Sequence, residues 1–409
     1  MILKKILPLF LIVFTSIVMA QEQADKFKLY GFVGNDFFFN SRQNVESTDG
    51  LILLFPKPID IIAGVDKNAI PQAEMLSINT RLGLDINGSP VFGAKSTAKI
   101  EADFSGFGAS FYVLRIRQAY VKLNWDKTEL LLGQTWHPMF GSVMPTTISM
   151  NGGAPFQPFN RSPQIRLKRN LSTSLSLTAA ALYQMQYTSQ GPIGSSNSYL
   201  KNAMIPDLFL GMEAKTKHWT SGIGGDLKTI NPVFKQHITS VSAVAYTQYV
   251  KPGFQLKAKA VWGENLSDHL MLGGYGVSKL SSDSTTAIGF TNYNTLSSWL
   301  NAIYGTKLQV AILLGISQNL GTNKELVTNK SNKFTAYGCG FDTTTTSQLQ
   351  IDRLIRISPS VSYNLPNMKF GVEYDLTSAV YGTLQSNGRV IKPYNINNHR
   401  VLASVCYIF

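Results

Sequence analysis

Alternation with period two runs through most of the chain. In "VFGAKSTAKIEADFSG" Phe92, Ala94, Ala98, Ile100, Ala102 and Phe104 fall on one side of an extended strand, with Lys95, Thr97, Lys99, Glu101 and Asp103 on the other. "MLSINTRLGLDI" repeats the pattern with Leu76, Ile78, Leu82, Leu84 and Ile86 against Ser77, Asn79, Arg81 and Asp85. "GFQLKAKAVWG" and "MKFGVEYDLTS" do the same, so that Lys257 and Lys259 oppose Leu256 and Trp262, and Glu373 and Asp375 oppose Val372 and Tyr374. After residue 20 no apolar run approaches the length of a spanning helix, and no stretch keeps a 3.6-residue period for long.

This pattern predicts sixteen strands, at about 26–40, 75–86, 91–105, 111–125, 128–136, 162–168, 172–187, 206–217, 221–230, 236–250, 254–265, 295–304, 307–320, 350–364, 368–381 and 397–409. Most reach the 9 to 11 residues of a tilted membrane strand. Short connections such as "DK" at 126–127, "KPG" at 251–253, "GT" at 305–306 and "LPN" at 365–367 alternate with longer ones such as 41–74, 137–161, 188–205, 266–294, 321–349 and 382–396. Alternating tight turns and long loops define an all-β transmembrane antiparallel barrel with periplasmic turns and extracellular loops. A secreted β-sandwich has no need of such a layout. The chain ends on "VLASVCYIF", whose Val401, Ala403, Val405, Tyr407 and Phe409 share one face; in a closed barrel this strand pairs with the first, and Phe409 lies at the membrane interface with Trp125, Tyr363 and Tyr407.

The first twenty residues carry Lys4 and Lys5, an apolar run from Ile6 to Phe14, and Val18-Met19-Ala20 before a polar stretch. They read as a signal peptide, 1–20, leaving a barrel domain at 21–409 and a location in the outer membrane of a Gram-negative cell. Without the two signal lysines, 35 basic residues stand against 24 acidic ones, a net +11. Cys339 and Cys406 form no disulfide framework.

Lipid must contact the apolar face, because a Lys or Arg facing mid-bilayer costs about 2 to 4 kcal/mol. Parity then turns fifteen Lys or Arg side chains inward against seven Asp or Glu, an excess of eight positive charges in the lumen. Such a wall attracts anions. Arg81, Lys99, Arg115, Arg117, Arg166, Lys168, Arg356 and Arg400 are the candidate pore-lining, anion-binding residues, with Arg115, Arg117, Arg166, Lys168 and Arg356 favoured for the constriction. In "LRIRQAYVKLNW" the apolar parity switches between Ile116 and Val121, which calls for a β-bulge near Gln118 to Tyr120 and leaves Arg115 and Arg117 projecting inward as a pair of carboxylate- or phosphate-binding forks. Residues 137–160, with four prolines and three glycines, are a candidate loop to fold into the lumen and set the constriction.

His137, His218, His237, His269 and His399 show no metal-ligand spacing, and no HExxH, paired CxxC, GxSxG or phosphate-loop run is present. The reading is therefore a channel and no enzyme, with no cofactor, no metal and no nucleic-acid partner. The segments "LRIRQAYVKLNW", "LLLGQTWHPMFG", "GISQNLG", "DRLIRISPSVSYNL", "VEYDLTSAVYG" and "NNHRVLASVCYIF" together resemble the DcaP-like trimeric porins of Gram-negative outer membranes. The resemblance is most specific at the Arg-x-Arg strand with Gly133-Gln134-Thr135-Trp136 and at Asn398-His399-Arg400. It implies a sixteen-stranded homotrimer that passes small anionic solutes such as dicarboxylates, is embedded in outer-membrane lipid, and is delivered by the barrel-assembly machinery through its aromatic-ended strand. It also implies that Arg115 and Arg117 are the inward basic pair of their strand. Some members carry an N-terminal helical extension for which only Gln21 to Asp25 are available here. The competing functional reading is a barrel that transports nothing and anchors surface loops for adhesion or complex assembly; a barrel-wall hydrolase is a third.

Overall fold

The computed structural model describes residues 26–106, 113–342 and 348–409; the expected signal peptide lies outside them. Sixteen antiparallel strands make the wall. They are β1 (Phe27–Asn40), β2 (Arg81–Asn87, continued upstream by Gln72–Leu76), β3 (Lys95–Asp103), β4 (Arg115–Asn124), β5 (Thr128–Trp136), β6 (Arg161–Asn170), β7 (Leu175–Leu182) and β8 (Asp207–Lys215). The second half comprises β9 (Trp219–Val233), β10 (Gln236–Lys251), β11 (Phe254–Glu264), β12 (Ala287–Gly305), β13 (Leu308–Thr322), β14 (Leu349–Asn364), β15 (Met368–Leu384) and β16 (Val390–Ile408).

Each strand pairs with the next, and β16 closes on β1 from Phe32↔Ile408 to Asn40↔Arg400. The last residue takes part: the Phe409 N–H donates to Gly31 O at 3.1 Å, and the Gly31 N–H donates to Phe409 O at 3.0 Å. Closure removes both sheet edges, so every wall strand has partners on both sides, as a hydrocarbon surround demands. No described helix is long and apolar enough to cross a membrane.

Exposure follows the lipid-out assignment. Val401, Val405, Tyr407 and Phe409 are exposed, whereas Asn398, Arg400 and Leu402, of opposite parity, are fully buried. On β15 Val372 and Tyr374 are exposed, and Glu373 and Asp375 are buried. Trp125, Trp219, Tyr304, Tyr363, Phe370 and Phe409, all exposed, lie near the short-turn ends of their strands and form an aromatic girdle there.

The structure departs from the sequence pattern in several places, one being the expected connection 266–294, which contains strand Gly273–Leu280 and the start of β12 at Ala287. Leu76 and Ile78 are buried, packed in the lumen with Phe38, Leu51 and Leu402, while Met75 faces out. Residues 77–80 break the strand between Leu76 and Arg81, so parity does not carry across. The segment 382–396 is largely strand, because β15 and β16 extend to Leu384 and Val390 and leave only 385–389 as the turn. Among the long connections, Asn44–Ser47 pairs with Ile52–Pro56, and the ribbon Gly273–Leu280 pairs with β12 and with Ala336–Cys339. Both cysteines are free.

Candidate functional site

The lumen is crossed by two loops. Residues 137–160 leave β5 and reach the far wall, where the Thr146 N–H donates to Asn301 Oδ1 at 2.8 Å on β12 and the Ile148 and Ser149 N–H groups donate to the Glu373 carboxylate at 2.7 and 3.3 Å on β15. Phe156 packs directly over Gly315 of β13, whose missing side chain makes room for the ring: a Cβ there would lie 2.6 Å from it. The ribbon Asn44–Pro56 also folds inward, and the Leu53 N–H donates to Asn151 Oδ1 at 2.8 Å, joining the two loops. Ile52, Leu54, Phe55, Val143, Ala154 and Phe156 bury themselves together with wall residues Trp299, Leu313 and Leu354. The periodic signal that identified the strands is absent from Asn44–Pro56, so its insertion had no signature in the sequence.

Several inward cations hold these loops. Arg356 is fully buried; its guanidinium donates to Ala154 O, Leu53 O and Leu54 O, and to Thr377 Oγ1, each at 2.9 Å. Arg400 donates to Gly50 O at 2.7 Å and stacks on Phe38, with 4.1 Å from Cζ to the ring centre. Lys257 Nζ donates to Thr146 Oγ1 at 3.0 Å, and Lys259 Nζ to Phe140 O and to Gln157 Oε1. Arginine suits the Arg356 position because its fixed fork can serve several carbonyls at once.

A different group of cations lies on β2, β3 and β4. Arg115 grips Asp103 through Nε at 2.7 Å and Nη2 at 3.0 Å. Arg117 donates to Glu101 Oε1 at 2.9 Å and Asp103 Oδ2 at 2.6 Å, and Arg81 Nε stands 3.8 Å from Glu101. The Tyr30 hydroxyl donates to Glu101 at 3.0 Å and accepts from Lys99 Nζ at 2.9 Å, which in turn meets Asp85 at 2.9 Å. Arg161, missed in the sequence reading, belongs with this group: it lies in the electrostatic field of Arg81, Arg115 and Arg117. It is fully buried, its guanidinium 4.0 Å from the Trp136 ring centre, and it donates from Nη1 to Gln186 at 2.7 Å while Nε and Nη2 make no hydrogen bond. Four guanidinium groups against Glu101 and Asp103 give 4 minus 2, or +2.

The local chain explains why "LRIR" is accompanied by "GQTW". Glu101 pairs with Gln118 and Ala102 with Ile116, so Arg117 is the extra residue of a β-bulge, one position before the predicted stretch. On the neighbouring strand Gln134 Nε2 donates to Ile116 O at 2.9 Å, and Thr135 Oγ1 donates to Gln118 Oε1 at 2.9 Å, satisfying polar groups that the bulge takes out of register. Gly133, at φ +129, sits against Tyr120, where a Cβ would come within 2.7 Å of Tyr120 Cα. Trp136 then supplies the ring beneath Arg161.

Arg166 and Lys168 are set apart from both groups. Arg166 donates to Gln164 Oε1 at 2.8 Å and to Trp136 O, and Lys168 stands 3.6 Å from Glu213. With Lys122, Glu129, Ser142 and Tyr246 they line a cavity of about 360 Å³ beside the root of the 137–160 loop. The eight predicted residues therefore divide into a wall cluster (Arg81, Lys99, Arg115, Arg117), a cavity pair (Arg166, Lys168) and two loop anchors (Arg356, Arg400).

A closed sixteen-stranded barrel with an apolar exterior, a charged interior and loops folded inward is an outer-membrane β-barrel of the porin architecture. In particular, the chain superposes on the outer membrane channel DcaP of Acinetobacter baumannii with a TM-score of 0.66 at 19% identity, covering 94% of this chain and 97% of that one. An anion-selective porin from Comamonas acidovorans matches with a TM-score of 0.54 at 10% identity over 94% and 99% of the two chains. The trimer form of OmpT from Vibrio cholerae matches with a TM-score of 0.51 at 10% identity over the same shares. No protein-family profile matches the chain, and no curated protein sequence does.

Proposed function

We propose that this protein is a passive diffusion channel of the outer membrane that favours small organic anions, carboxylates among them, and performs no covalent chemistry. The observation that carries the reading is the arginine cluster of Arg81, Arg115, Arg117 and Arg161, whose four positive charges exceed the two carboxylates among them. In a water-filled pore with low-dielectric walls, that excess lowers the free energy of an anion and raises that of a cation. Glu101 and Asp103 hold the guanidinium groups in fixed positions, so the cluster is preorganised.

Residues 137–160, with Asn44–Pro56, narrow the lumen to a constriction, and Arg356 and Arg400 serve the channel by holding those loops in place. The homotrimer is supported by the likeness to a trimeric neighbour. Liposome swelling tests the reading: reconstituted protein should admit a small dicarboxylate markedly faster than a diamine of equal size. Equal rates would remove the charge argument, and no swelling with either solute would favour a barrel that only anchors surface loops.

A further inference from the structure

At the point where the 137–160 loop leaves β5, three elements bring together polar side chains that the channel reading does not use. His137 is the first residue of the loop, Asp207 opens β8, and Asp226 lies on β9, where it pairs with Phe209, so the two aspartates project from neighbouring strands to the same side. All three are at least nine-tenths buried. His137 Nε2 lies 3.4 Å from Asp207 Oδ2 and 3.7 Å from Asp226 Oδ1, and one ligand atom from each residue lies within 4.8 Å of the others. His137 Nε2 makes no hydrogen bond although it is shielded from solvent, and the Asp207 and Asp226 carboxyl groups, equally shielded, have only each other as hydrogen-bond partner.

The surrounding charges do not neutralise the pair. Lys228 is taken by Asp268 and Asn265 O, and Gln184 donates to Asp268 at 2.8 Å. Among the described residues Asp207 and Asp226 meet no Lys or Arg; their sole salt-bridge partner is His137. With one proton shared between the hydrogen-bonded Asp207 and Asp226 carboxyl groups, two carboxylate charges against one ammonium leave 2 minus 1, or one negative charge, in a buried site. Burying unpaired charge is strongly unfavourable, and proteins that retain such charge pair it or coordinate a metal with it.

We infer that His137, Asp207 and Asp226 form a binding site for one divalent first-row cation, with Zn²⁺ the best match. Two ligand atoms on a tetrahedral ion at bond lengths of about 2.0–2.1 Å stand about 3.4 Å apart, close to the two distances from His137 Nε2. One imidazole and two carboxylates form a donor set that suits zinc, with the fourth position left to water. A +2 ion displaces the proton shared by Asp207 and Asp226 and balances the two carboxylate charges so formed. Loading requires the imidazole proton to sit on Nδ1, which now accepts a 3.2 Å contact from the Met139 N–H, so the ion displaces that contact as it takes Nε2. The bound ion would fasten the root of the 137–160 loop to β8 and β9. The three ligands are separated by 70 and 19 residues, which is why no ligand spacing is visible along the chain.

The test uses the full mature protein in detergent, stripped with a chelator and dialysed against Zn²⁺ or Co²⁺. The expected result is one Zn²⁺ per chain by elemental analysis, together with the visible absorption of a tetrahedral nitrogen- and oxygen-ligated Co²⁺. Asp207→Asn and His137→Gln variants, checked for folding by heat-modifiable electrophoretic mobility, should bind about 100-fold more weakly or worse, at least the effect of losing a supporting residue at known sites. Should the variants fail to fold, the Co²⁺ spectrum of the unaltered protein decides alone. Absent Co²⁺ bands, or Zn²⁺ uptake equal in variants and parent, would overturn the assignment.

Discussion

Replacing Arg356 by alanine is expected to raise single-channel conductance and current noise while leaving the barrel folded. Its guanidinium donates to Ala154 O on one inserted loop and to Leu53 O and Leu54 O on the other. At about 1 kcal/mol for each net hydrogen bond, their loss removes about 3 kcal/mol from loop docking, enough to shift a docked loop to a population of partly released states. The wall does not depend on that side chain: β14 keeps its ladders to β13 and β15. Planar-bilayer recording decides the matter. Unchanged conductance with normal folding would mean that the loops are held by their apolar contacts and that Arg356 is dispensable as an anchor.

Neutralising Arg115 and Arg117 together, as glutamines, is expected to lower the chloride-to-potassium permeability ratio by more than about tenfold, since chloride loses attraction and potassium loses repulsion. The estimate follows from Coulomb's law: a unit charge about 5 Å from a permeating ion in water is worth about 0.8 kcal/mol, and two such charges about 1.6 kcal/mol. The double variant takes the cluster from +2 to 2 minus 2, or zero, because Glu101 and Asp103 remain to offset Arg81 and Arg161. The chloride-to-potassium permeability ratio is the readout. A ratio equal to that of the parent would show that the two side chains only brace the bulge in β4. The effect should weaken as salt rises, since screening shortens the reach of the cluster to about 3 Å at 1 M.

The sixteen wall strands were legible because lipid on one side and water on the other impose a strict period of two, and because turns and loops alternate in length. The bulge at Arg117 was legible for the same reason, as a break in an otherwise regular parity. Where the wall is interrupted, at residues 77–80, parity gave the wrong face for Leu76 and Ile78, since alternation carries no information across a break. The division of the cations was not legible. Parity places Arg356 and Arg117 alike on the inner face, but Arg356 meets loop carbonyls more than 200 residues away in sequence whereas Arg117 meets Glu101 and Asp103 on the adjoining strand. Contacts of that kind depend on how an aperiodic loop packs. Arg161 escaped notice because it lies ahead of Pro163, before the alternation of β6 begins.

The central claim is that the fixed charge of the lumen sorts ions by sign, and the reversal potential of the unaltered channel across a potassium chloride gradient tests it most directly. A potential of the sign set by chloride flux is the predicted result. A potential of the sign set by potassium flux would contradict the account.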